Sequence, residues 1–181
     1  MTKDELLSGF DFADQREVEG LKLWLDDATL GTRRRKALVI VGPMCSGKTT
    51  LLYRIAEYKG EAPCLYDGRG GIVPSRIGVA DLLRRFREFE GSKVILVDDL
   101  RVKSGRALIE IQRFAVGFKT YLREPRSTSK IVEFKISAPL AVAVSADDAE
   151  RAEKWIQAKS YMEGRSPYLL IHPRIAKQKK G

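Results

Sequence analysis

The chain predicts an α/β fold in three layers, a mostly parallel five-stranded sheet with helices on both faces, and three stretches carry that prediction. Two are apolar runs that end in acidic or small polar residues: Lys93-Val94-Ile95-Leu96-Val97-Asp98-Asp99-Leu100 and Pro139-Leu140-Ala141-Val142-Ala143-Val144-Ser145-Ala146. A strand covered on both faces has no solvent side on which to place polar residues, so it reads as a continuous apolar run. The third is Ala37-Leu38-Val39-Ile40-Val41, followed by a glycine-containing loop and then by a helical pattern from Thr49 to Tyr58. In that helix Leu51, Leu52, Ile55 and Ala56 recur at the three-and-four spacing of one buried side.

The other elements follow in order. Asp14 is placed to cap a helix whose Val18, Leu21, Trp24 and Leu25 share a face, with acids in its first turn. Residues 1–36 thus read as an amphipathic helix with a basic linker, Arg33 to Lys36, residues 37–173 as the core, and residues 174–181 as a basic tail. Ala62 to Tyr66 reads as a second strand and Pro74 to Phe86 as the approach to an outer helix. Ser104 to Leu122 has helical spacing, and Arg123 to Lys130 reads as a turn. Thr120 to Ser137 also fits a basic β-hairpin, because Ile131 to Ile136 alternates as a strand does. Asp147 is placed to cap a helix running through Trp155 and Tyr161, and Ser166 to Pro173 supplies the fifth strand. His172, the single histidine, lies between a strand end and a proline and receives no chemical role.

The loop after the first core strand is Gly42-Pro43-Met44-Cys45-Ser46-Gly47-Lys48-Thr49-Thr50, which fits G-x-x-x-x-G-K-[ST] at every fixed position. Gly42 and Gly47 let the backbone wrap closely around phosphate oxygens, and the following helix adds the positive end of its dipole. Lys48 supplies a point charge to the β- and γ-phosphates of ATP, and Thr49 a hydroxyl for Mg2+. A chance match in a tight turn is the alternative, and the flanking strand and helix weigh against it. Asp98, at the end of a central strand, is placed to hold the same Mg2+ opposite Thr49, and Asp99 to polarise a water.

Composition narrows the partners. The chain carries a formal net charge of +9, unevenly spread. Residues 1–30 hold eight acids and three bases, whereas residues 101–135 hold nine bases and three acids. Arg123, Arg126, Lys130 and Lys135 fall in that basic segment, and the tail adds Arg174, Lys177, Lys179 and Lys180. Segregated positive charge is the footprint of a polyanion such as nucleic acid, with a solvated basic surface as the alternative. Two cysteines, Cys45 and Cys64, are too few for a disulfide framework or a zinc cluster and are expected simply to pack. No long apolar run or secretion signal is present, which predicts a soluble cytoplasmic protein without a membrane role. The absence of asparagine hints at a thermophilic source.

The order of these features resembles AAA+ ATPases of the archaeal, replication-initiator and helicase-loader kind. The specific motifs are residues 42–50, residues 94–99 and Ser145, within a stretch from Phe12 to Ile171. The resemblance implies ATP hydrolysis coupled to nucleic acid, with Ser145 as sensor 1, orienting the hydrolytic water. It also implies that Arg165, just before the last strand, reaches a neighbouring subunit's γ-phosphoryl group in a homo-oligomer, which in this family can be a ring. Several DNA-handling members insert a hairpin where Thr120 to Ser137 lies. Two departures stand out: Asp99 replaces the commoner glutamate, as in initiators and helicase loaders, and no helical lid with a sensor 2 arginine follows His172. The phosphate loop also resembles that of thymidine kinases, although the kinase's Asp-Glu pair and cysteine zinc lasso have no counterpart. A nucleotide-binding switch with weak turnover is the third reading.

Overall fold

A computed structural model describes residues 1–26, 36–60, 93–102, 109, 120–123, 131–134, 139–163 and 168–176. The elements are α1 (Lys3–Leu7), β1 (Phe10–Asp11), α2 (Gln15–Leu25), β2 (Ala37–Ile40), α3 (Lys48–Lys59), β3 (Ile95–Leu100), β4 (Thr120–Arg123), β5 (Ile131–Phe134), β6 (Leu140–Val144), a 3-10 turn (Ala146–Asp148), α4 (Ala149–Glu163), β7 (Tyr168–Ile171) and β8 (Arg174–Ile175).

Four strands form a parallel sheet in the order β3-β6-β2-β7. The predicted strand Ala62 to Tyr66 and helix Pro74 to Phe86 lie outside the described residues, so the described sheet has four strands rather than five. Alternation along the strands sends side chains to two separate cores. Val39, Val97, Val142 and Val144 pack with Ala152 and Ile156 of α4, while Leu38, Ile40 and Leu96 pack with Leu21 and Trp24 of α2 and Leu51, Leu52 and Ile55 of α3. On the α3 side β6 presents only Ala141 and Ala143. Helices therefore lie against both faces, which explains the uninterrupted apolar strands.

From β2 the chain passes through α3 to β3 on one side, and from β6 through α4 to β7 on the other. Neighbouring strands whose continuations leave in opposite directions create a crevice at their carboxyl ends, where α/β sheets place ligands. Residues 41–47, Ser145 and His172 follow the carboxyl ends of these strands, and Asp98 and Asp99 lie in the last three residues of β3.

The N-terminal helix starts as read: Asp14 accepts a hydrogen bond from Glu17 N at 3.0 Å. Before it stands α1, with a capping box between Thr2 and Glu5. Arg54 of α3 donates to the carbonyls of Leu6 at 3.0 Å and of Ser8, and its guanidinium lies 5.0 Å from the Phe10 ring centroid. These contacts fasten the chain's start to the helix that follows the glycine loop.

Three readings need correction. Thr120 to Leu122 are not the end of a helix but part of β4, which pairs antiparallel with β5 from Thr120↔Phe134 to Arg123↔Ile131. The pairing agrees with the alternative hairpin reading of this stretch, whose residues 124–130 and 135–137 lie outside the described residues. Asp147 does not directly precede α4 but lies inside the 3-10 turn before it, and the buried acid is Asp148. Residues 174–181 are not wholly a tail, because Arg174 and Ile175 form β8, antiparallel to β1. Among the described residues, no helix is long and apolar enough to cross a membrane.

Candidate functional site

The loop between β2 and α3 depends on backbone that side chains resist. Gly42 has φ 152° and Gly47 has φ 92°, and Cys45, which is not glycine, has φ 61°. A Cβ on Gly42 would lie 2.8 Å from Ser46 Oγ, and one on Gly47 would lie 2.8 Å from Phe10 Cε1 and 3.0 Å from Ile175 Cγ1. The β1–β8 ribbon thus rests directly on Gly47. Non-glycine residues held in left-handed backbone concentrate at ligand sites, where the surrounding structure over-determines them.

Gly47 caps α3 without a side-chain hydrogen bond, and the first-turn N–H groups of a helix have no partner within it. Ser46 is 6% exposed, and its Oγ is, among the described residues, the one buried side-chain polar atom without a hydrogen-bond partner. An orphaned hydroxyl inside a loop of this shape fits a polar ligand. Met44 and Cys45 are exposed, so the expectation that Cys45 packs is wrong. The loop leaves its tip in solvent while β2 and α3 bury its base. Pro43 and Thr50 complete the loop and the first turn as read; Cys64 lies outside the described residues.

Lys48 Nζ donates to the carbonyls of Gly42 and Pro43, both at 2.8 Å. Thr49 Oγ1 donates to Asp98 Oδ2 at 2.7 Å, joining residues 49 positions apart. Asp98 Oδ1 accepts from Asp99 N at 3.0 Å. Burial pushes the Asp98 carboxyl above its usual range, opposed by the Thr49 and Asp99 hydrogen bonds. Burial also lowers the Lys48 ammonium, against the pull of Asp98 and Asp99. Each charge is thus strained by desolvation, a pattern common where a charged ligand completes the balance. Ser145 follows β6 and is buried, with its N–H donating to Leu100 O at 2.9 Å beside this pair of acids.

The other expected site residues fall largely outside the described part of the chain. The Arg123 backbone belongs to β4, whereas Arg126, Lys130, Lys135 and Arg165 lie outside the described residues.

His172, dismissed on sequence, proves structural. Its Nδ1 lies 2.6 Å from Glu17 Oε1, its backbone N–H donates to Glu17 Oε2 at 2.9 Å, and its Nε2 lies 3.4 Å from Glu153 Oε1. Glu17 Oε2 also accepts from Ala13 N at 3.3 Å. One carboxylate therefore ties the exit of β1 to the entry of β8. The Glu17 hydrogen bond raises the His172 pKa above its ordinary value, against burial, with further help from both glutamates. A raised folded-state value means that protonation favours the native state. Its contribution is complete below the unfolded value of about 6.5 and fades as pH rises through the folded value. The melting temperature lost on His172→Gln is accordingly expected to be larger at about pH 5.5 than at about pH 8.5. Scanning calorimetry of both proteins at each pH checks this, and equal losses would refute the linkage.

No protein-family model and no curated protein matches this sequence.

Proposed function

We propose that the protein binds and hydrolyses Mg-ATP as an AAA+-like P-loop ATPase of three-layer α/β fold, acting on nucleic acid as a homo-oligomer. The Thr49–Asp98 hydrogen bond of 2.7 Å carries the reading. It brings a hydroxyl at the start of the post-loop helix against a carboxylate from another strand's end, the pair of hard oxygen donors that magnesium takes together with phosphates. Among the described residues no group of three His, Cys, Asp or Glu side chains could hold a metal, and a site completed by phosphate oxygens does not require one.

In this reading the backbone of residues 42–49 cradles the phosphates, and Lys48 exchanges its two loop carbonyls for phosphate oxygens. Thr49 and Asp98 would hold Mg2+, which would supply charge neutralisation to the phosphates. Asp99 orients the attacking water and takes its proton, and Ser145 assists from the neighbouring strand end. The orphaned Ser46 hydroxyl supports a polar occupant of the loop.

Phosphate release from ATP, with and without DNA, tests the reading beside phosphoryl transfer to nucleosides. Magnesium-dependent release is expected. Absence of both phosphate release and Mg-ATP binding would overturn it, and transfer to a nucleoside would replace it with the kinase reading.

The nucleic-acid part rests on the basic composition of residues 101–135 and on the observed hairpin. Affinity should fall steeply with salt, because each phosphate contact releases condensed counterions, and replacing Arg123, Arg126, Lys130 and Lys135 with glutamine should flatten that slope. A fluorescence titration over a salt series measures it; binding indifferent to salt leaves only a solvated surface.

Arg165→Ala is expected to keep ATP affinity and lose rate, with turnover per subunit rising with protein concentration in the unmodified chain. Mixing it with Lys48→Ala protein should recover activity, because one subunit's arginine serves another's intact site. An unaffected variant together with concentration-independent turnover would remove the finger and the ring.

A further inference from the structure

β3 does not run straight past its acids. It pairs with β6 through Val97↔Val142, the register shifts, and pairing resumes at Leu100↔Val144. Asp98 and Asp99 stand where β6 has the single residue Ala143, so β3 carries one extra residue, and Asp99 has φ 51°, a left-handed backbone that is uncommon for a residue with a Cβ, though aspartate tolerates it better than most. A bulge of this kind re-aims side chains that a regular strand would alternate between its faces. Here it allows Asp98 to meet Thr49 at 2.7 Å while Asp99 N–H folds back to Asp98 Oδ1 at 3.0 Å.

The bulge needs anchoring on its far side. Ser145 N–H donates to Leu100 O at 2.9 Å. Two residues on, the strand has ended, yet Val102 is 1% exposed and its N–H still needs an acceptor. Asp148 supplies it: Oδ2 accepts from Val102 N at 2.9 Å in a buried hydrogen bond. Asp148 is 8% exposed. Its own N–H donates to Ser145 O at 3.0 Å, and its Oδ1 accepts from Arg151 at 3.1 Å. The 3-10 turn after β6 thus grips both Leu100 and Val102, the residues into which the bulge discharges.

We infer that Asp148 is a positioning residue that holds the Asp98–Asp99 bulge in register, and through it the aim of both acids at the Thr49 side of the site. The inference rests on the magnesium and water roles proposed for Asp98 and Asp99, but its structural half stands apart from them. Without Asp148 the Val102 N–H loses its acceptor, the strand exit relaxes, and Asp99 returns to an ordinary backbone conformation. Asparagine retains an acceptor oxygen for Val102 N–H, so Asp148→Asn should preserve the aim that Asp148→Ala loses.

The test compares amide hydrogen exchange and turnover in the full chain for the unmodified protein, Asp148→Ala and Asp148→Asn. In Asp148→Ala the Asp99 and Val102 amides should exchange at least about tenfold faster, while Val142 in the middle of β6 keeps its protection. Turnover should fall at least about tenfold through kcat, with KM for ATP little changed, since the phosphate loop is untouched. Asp148→Asn should recover most of both. Unchanged Asp99 exchange in Asp148→Ala would overturn the inference. So would a uniform loss of protection that includes Val142, which marks a general packing role. If the unmodified protein shows no turnover, the ATPase reading fails and the exchange result still decides the role of Asp148.

Discussion

Replacing Lys48 with alanine is expected to lower ATP turnover by about three orders of magnitude or more while leaving the fold in place, because one preorganised donor at developing charge is worth ~10²–10³ and this one carries a full charge. The fold should survive because, among the described residues, Nζ hydrogen-bonds only to the carbonyls of Gly42 and Pro43, in a loop whose tip is exposed and can turn those carbonyls to water. Losing a half-buried ammonium that burial already disfavours also relieves a cost. Lys48→Arg should fail as well, since a longer planar fork does not replace a compact point charge in a loop of fixed shape. Steady-state phosphate release beside a thermal melt measures both halves. Normal turnover in Lys48→Ala would end the ATPase assignment.

The second large effect is expected at Gly47. Gly47→Val meets two obstacles that add: a backbone at φ 92° that β-branched residues do not tolerate, and a Cβ position already occupied by Phe10 and Ile175. Strained backbone and overpacking each cost roughly 1–3 kcal/mol, enough together to take away much of the stability of an ordinary domain. Nucleotide binding should go with it, because relief requires lifting the β1–β8 ribbon or opening the loop. The two causes separate in a cycle. Gly47→Ala combined with Phe10→Ala should recover the part due to the Phe10 ring and leave the Ile175 contact and the backbone part, so the double variant should be more stable than the sum of the single losses predicts. Strict additivity, measured by denaturant unfolding, would show that the Phe10 ring does not obstruct this position.

Much of the architecture was legible because buried strands and amphipathic helices write themselves in short windows. β2, β3, β6 and β7 came from apolar runs, and α2 and α3 from three-and-four spacing with Asp14 at the start. The capping box of α1 was equally local, a threonine followed three residues later by glutamate, and could have been read. The end of Ser104–Leu122 was not decidable from periodicity alone, since its helical spacing continues into Thr120–Leu122, where pairing with β5 imposes a strand instead.

What the sequence by itself determined is the set of chemical groups and the element that carries each: the glycine loop and Lys48 between a strand and a helix, Thr49 in that helix's first turn, Asp98 and Asp99 at a strand end, Ser145 at the next. Each depends on neighbours within a few residues. The meeting of Thr49 and Asp98, 49 positions apart, was expected from the two motifs, and folding added their direct hydrogen bond. The Glu17–His172 pin, which spans 155 positions, came from folding alone, because no local pattern encodes a partner that far away. The same holds for the β1–β8 ribbon on Gly47 and for Asp148 beneath the bulge. Glu17 reads as a first-turn acid, Asp148 as an acid near a helix start and His172 as a loop residue until folding removes their water. Burial then leaves each of them dependent on the few partners within reach, because a buried polar group without a partner is costly.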